Sequence, residues 1–68
     1  MMSVAGWEFA KALEQRGWEL LRVQESHHIY GKKGSIVRLS IPIDGGQSLK
    51  RGLLKHLMKL AGISEEEI

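Results

Sequence analysis

The chain has no cysteine, a single proline, and only one phenylalanine and one tyrosine beside two tryptophans. Without thiols it has neither a disulfide framework nor a thiolate metal site, so a disulfide-held secreted scaffold is excluded. Long apolar runs are missing too. No uncharged apolar stretch approaches the roughly 20 residues that span a bilayer. The opening "MMSVAGWEF" lacks the basic start and extended apolar core of a signal peptide. The expectation is a soluble cytoplasmic protein with no membrane partner. At 68 residues it has room for one core, so residues 1–68 are read as one domain of modest stability.

What the chain has is an uneven distribution of charge. The net charge is +2, but the first 31 residues carry a net −1 and the tail with Glu65, Glu66 and Glu67 carries −3. Between them, Lys32, Lys33, Arg38, Lys50, Arg51, Lys55 and Lys59 face only Asp44, a net +6. A basic block of this density points to an anionic partner such as RNA or an acidic protein surface. On charge alone, a solvated basic face is an equal reading.

Hydrophobic spacing orders the elements. Ala5, Phe9, Ala12, Leu13 and Arg16 recur at helical spacing, predicting a helix over 4–16 that Gly17 stops in a left-handed conformation. "WELLRV" (18–23) and "SHHIY" (26–30) read as strands. "GKKG" (31–34) reads as a tight hairpin leading into the alternating strand "SIVRLSI" (35–41), which Pro42 ends. A second helix is expected to start near Ser48 as N-cap. Leu49, Leu53, Leu57 and Leu60 form its stripe, and Gly62 stops it. Ser64 and Glu67 have capping-box spacing. The order is α-β-β-β-α, an α+β fold. The simplest packing lays both helices on one face of a three-stranded antiparallel sheet and leaves the other face open. Double-stranded-RNA-binding domains share this topology, although fold alone does not give function.

His27 and His28 are adjacent on the second strand, so they point to opposite faces and cannot serve one small site unless a bulge intervenes. No convergent ligand set surrounds them, and no metal or cofactor is expected. Tyr30 is the natural core residue of this strand, which places His28 on the helix side and His27 on the open face. In the alternative register Ile29 is inside, and His27 needs a pocket or a bulge to act. Pattern alone makes His27 an ordinary exposed strand histidine.

Family resemblance changes that reading. "GWELLRVQESHHIY", then a basic hairpin, a short strand ending in proline, and "SLKRGLLKHLMKLAGISEEE" together resemble the HicA (YcfA-like) toxins from about Gly6 to Glu67. The resemblance implies a type II toxin, an endoribonuclease (mRNA interferase) that cleaves mRNA and is neutralised by a HicB-type antitoxin. It also makes the first histidine of the Ser-His-His triplet, His27, the functional one. This chain has Glu25 where the family usually has glycine, and Asp44 where it often has histidine. RNA cleavage needs a base for the ribose 2′-OH, an acid for the leaving 5′-oxygen, and cations for the charge on phosphorus. A histidine with an ordinary pKa near 6.5 serves as base or acid near neutrality. Lys32, Lys33 and Arg38 are the candidate phosphate binders. Ser26 either bonds a phosphate oxygen or caps the strand. The competing functions are a non-catalytic RNA-binding module of similar fold and an interaction domain whose open face or edge accepts a partner strand.

Overall fold

The computed structural model describes residues 3–68. Met1 and Met2, the first residues of the stretch read as lacking signal features, lie outside the described residues. In chain order come α1 (Gly6–Gln15), β1 (Glu19–Gln24), β2 (His27–Gly31), β3 (Arg38–Pro42) and α2 (Arg51–Ala61), followed by a 3-10 turn over Glu65–Glu67. The strands form one antiparallel sheet in the order β1-β2-β3. The fold is α+β with the expected α-β-β-β-α order. Among the described residues no helix is long and apolar enough to cross a membrane.

One face of the sheet forms the floor of the core. Tyr30, Leu39 and Ile41 are essentially inaccessible, and they cluster with Phe9 and Leu13 of α1 and with Leu54 and Leu57 of α2. Fully burying a side chain of this size contributes roughly 1.5–3 kcal/mol. A handful of such residues therefore carries most of the stability. α1 packs against β1 and β3, and α2 packs against β3. β1 is exposed along its whole length.

The helix boundaries follow from hydrogen bonding. α1 ends in a Schellman arrangement: the Trp18 N–H donates to the Leu13 carbonyl at 3.0 Å and the Gly17 N–H to Glu14 at 3.1 Å, with Gly17 at φ 90. At its start, the Glu8 carboxylate accepts from the Ala5 N–H at 2.9 Å. Gly6 is the first helical residue, and a Cβ there would overlap the Pro42 carbonyl oxygen at the end of β3. α2 starts at Arg51 rather than near Ser48. Ser48 bridges Ala5, and the Leu49 N–H donates to the Val4 carbonyl at 2.7 Å, which holds 48–49 extended. Gly62 (φ 70) closes α2, and Glu67 accepts from the Ser64 N–H at 2.6 Å, as the capping-box spacing suggested.

The expected hairpin at "GKKG" is not tight. Gly31 pairs with Arg38, so six residues, 32–37, form the connection, and Ile36 is almost wholly exposed at 96%. The predicted strand from Ser35 begins only at Arg38. The Ser35 hydroxyl accepts from the Val37 N–H at 3.1 Å, a local bond that competes with the ladder.

One polar bond crosses the core. The Tyr30 hydroxyl donates to Glu14 Oε2 at 2.6 Å and ties the central strand to α1. Burial first, and the Glu14 carboxylate second, push the Tyr30 phenol well above its usual 10.0. The neutral phenol is therefore favoured in the folded state, and its contribution is complete below the unfolded pKa near 10. Stability should fall as pH rises beyond about 10, because the unfolded state then ionises while the folded state does not. In Tyr30→Phe that alkaline limb should flatten, with about 1–2 kcal/mol lost at neutral pH from the missing bond to a charged acceptor. Urea unfolding across pH 7–11 checks both. In the same assay Gly6→Ala should cost roughly 1–3 kcal/mol, because the obstacle is backbone and cannot rotate away.

Candidate active site

The site begins at the turn before β2. Gln24 pairs with His27, so Glu25 and Ser26 alone connect β1 to β2. A two-residue hairpin needs positive φ where its turn demands it, and Glu25 takes that position at φ 56, the one non-glycine residue with positive φ among the described residues. The tight turn thus lies here rather than at "GKKG".

His27 opens β2 between Gln24 on one side and Pro42 on the other, and it is exposed. Its neighbour His28 pairs with Val23 and Ile41 on the helix side. It is half-buried, and its Nδ1 has no hydrogen-bond partner. The open face therefore carries His27, then Ile29 opposite Arg22 and Ser40, then Gly31 opposite Glu19 and Arg38.

The remaining candidates do not converge on His27. Arg38 pairs with Gly31, four residues along β2, which at about 3.3 Å per residue puts its backbone about 13 Å from that of His27. Its Nη1 is tethered by the Ser35 and Val37 carbonyls at 3.2 and 3.1 Å. Lys33 lies in the 32–37 loop at that same far end, exposed. Lys32 is drawn aside: its ammonium sits 5.8 Å from the centroid of the buried Trp18 ring, in cation–π contact. Ser26 lines a separate hollow of about 270 Å³ with Pro42, Asp44, Ser48, Lys50 and Leu53. Asp44 thus shares a hollow with Ser26 at the end of the ladder. Among the described residues no three His, Asp or Glu side chains come together as a metal-binding group.

The residue that sequence reasoning missed is Arg22. Strict alternation from Leu20, which pairs with Tyr30, would turn Arg22 toward the helices. A bulge between Leu20 and Arg22 adds one residue and brings Arg22 opposite Ile29 on the open face. The two-residue turn offered a signal, because counting back from a Gln24–His27 pair gives the same result. Arg22 is the cation nearest to His27 along the face, about 7 Å away in strand repeat.

The family model described as the HicA toxin of bacterial toxin-antitoxin systems matches residues 6–63. The chain belongs to the HicA toxin family. The match runs from the glycine that abuts Pro42 to the buried Ile63, so it takes in both helices and the whole sheet of this HicA-family chain. No curated protein sequence matches it.

Glu25 holds a conformation that costs a side-chain-bearing residue roughly 1–2 kcal/mol. Glycine's greater freedom when unfolded offsets part of that cost. Glu25→Gly should therefore stabilise this HicA-family protein by up to about 1 kcal/mol, read as a higher urea midpoint with an unchanged m-value. A lower midpoint would mean that the turn is held by the Glu25 side chain.

Proposed function

We propose that this HicA-family protein is an endoribonuclease toxin that cleaves mRNA by acid/base chemistry at His27 and is held inactive by a HicB-type antitoxin. The observation that carries the reading is an exposed imidazole, in the first position after the serine of the Ser-His-His triplet, on the open sheet face of a HicA-family chain. The α-β-β-β-α order, shared with double-stranded-RNA-binding domains, and the basic 32–59 segment also favour an RNA partner.

In the proposed reaction the His27 imidazole takes the proton of a ribose 2′-OH. The 2′-oxygen attacks phosphorus, the bond from phosphorus to the 5′-oxygen breaks, and that oxygen gains a proton from the imidazolium or from water. The products are a 2′,3′-cyclic phosphate and a 5′-hydroxyl. General acid/base help of this kind contributes about 10²–10⁴-fold. Arg38 and Lys33 hold flanking phosphates at the far end of the face, since a single phosphate cannot span the distance to them. Lys32 adds to that end through the field of its charge, and Ser26 bonds a phosphate oxygen beyond the His27 end. The antitoxin covers the open face and meets its cations with acidic groups.

The test compares wild type and His27→Ala on a single-stranded mRNA fragment with EDTA present, with circular dichroism to confirm the fold. Wild type should cleave with chelator present, and the variant should lose at least about 10²-fold in rate. Equal cleavage by both proteins sinks the role of His27. RNA bound but uncut by wild type would make the protein a non-catalytic RNA-binding module.

A further inference from the structure

The open face holds a hollow of about 420 Å³ lined by Leu21, Arg22, Ile29, Arg38 and Ser40. This volume lies within the range of small-ligand sites, roughly 300–1,000 Å³. Its apolar surface comes from Ile29 of the central strand and from Leu21, which the bulge adds to this side. Leu21 has room there because Gly31 has no side chain: a Cβ at Gly31 would stand 2.7 Å from Leu21 Cδ1. The polar groups are two guanidiniums, one from β1 and one from β3, and the Ser40 hydroxyl. Among the described residues no carboxylate lines the hollow; Glu19 lines the adjoining one, which shares Leu21 and Arg38.

We propose that this hollow is a nucleobase subsite that takes an unpaired guanine of the RNA strand, next to the nucleotide held at His27. The proposal rests on the RNA-directed reading above and adds to it a site and a base preference. An apolar floor of Leu21 and Ile29 beside two guanidiniums suits an unstacked base, and splayed single-stranded bases are the usual target of sequence-specific RNA recognition. The two arginines have different roles. Arg38 is braced by the carbonyls of Ser35 and Val37 and forms a fixed wall. Arg22 makes no hydrogen bond or ion pair among the described residues, so its fork is available to a base edge.

Base identity follows from the donor count. Both arginines only donate, and Ser40 is the one hydroxyl able to accept. Guanine offers O6 and N7, two acceptors on one edge that match a guanidinium fork. Adenine places an amino donor on the corresponding edge and uracil offers a lone O4 there; an unpaired cytosine also offers two adjacent acceptors, O2 and N3, but on a single ring with less surface to stack.

The experiment measures fluorescence anisotropy of labelled pentanucleotides, 2′-O-methylated so that they cannot be cut, with guanine, adenine, cytosine or uracil at the centre of an otherwise uridine strand. Wild type should bind the guanine strand about tenfold more tightly than the others. His27→Ala should keep that ratio, and Arg22→Gln should bring it to within about twofold while keeping the circular dichroism of wild type. Equal wild-type affinity for all four strands overturns the subsite, as does a guanine preference that survives Arg22→Gln. So does an Arg22→Gln effect confined to antitoxin binding. If wild type fails to cleave RNA but shows an Arg22-dependent guanine preference, the subsite stands and the nuclease reading falls. If cleavage depends on His27 but binding shows no base preference, the nuclease reading stands and the subsite falls.

Discussion

The contact between Gly6 and the Pro42 carbonyl fixes the geometry on which the rest depends. The first turn of α1 can rest on the last residue of β3 only because no Cβ intervenes. The adjoining residues lock the same junction, since Val4 and Ala5 are bonded to Leu49 and Ser48. The start of α1, the end of β3 and the approach to α2 thus meet at one place. Pro42 is also the ladder partner of His27. A shift of α1 is therefore felt one strand away from the imidazole. Pro42 suits this position because β3 is an edge strand, where a missing N–H need not break a ladder.

The fold was legible because its main signals are periodic. Alternation through His28, Tyr30, Leu39 and Ile41 set the core face, and from it the outward position of His27. Gly17 and Gly62 marked both helix ends through the left-handed conformation they adopt. The turns were harder to read. "GKKG" has the composition of a tight hairpin, yet its Gly31 serves to admit Leu21 and Arg38 on the open face. The true two-residue turn is built from Glu25 and Ser26, and nothing in a glutamate announces a positive φ. The bulge was equally hidden. It inverts the face of Arg22 through a register choice that two leucines in succession do not reveal.

Electrostatics divide along the same geometry. Arg22 and Arg38 lie on the open face, whereas Arg51, Lys55 and Lys59, spaced by one helical turn, run along the exposed side of α2. The acidic tail does not neutralise the open face. Arg16 pairs with Glu67, which ties the tail to the C-terminal end of α1. An exposed pair of this kind adds at most about 1 kcal/mol, so its main effect is to set where the tail's negative charge lies. On the open face Arg22 and Arg38 stand beside Glu19, the ladder partner of Gly31, and the field of these charges falls off within about 8–10 Å at physiological salt. Long-range steering is therefore weak, and recognition depends on contact.

Dependence on contact also shapes the proposed chemistry. The backbone of His27 is fixed from both sides by Gln24 and Pro42, but its ring makes no hydrogen bond to any described residue. An imidazole without an orienting partner must take its working geometry from the substrate. On the proposed reading, the groups that grip neighbouring nucleotides then do more than add affinity. They hold the ribose hydroxyl against the ring, converting binding energy into alignment at the reacting bond. Shortening the RNA so that it no longer reaches the Arg22–Arg38 hollow would remove that alignment, and the loss would fall on turnover as well as on binding. On that reading a small domain with a single imidazole at its site can be an effective toxin, because the missing organisation is supplied by the length of its substrate. On the proposed reading the same dependence makes it easy to silence, since a partner that occupies the open face need not touch His27 to disarm it.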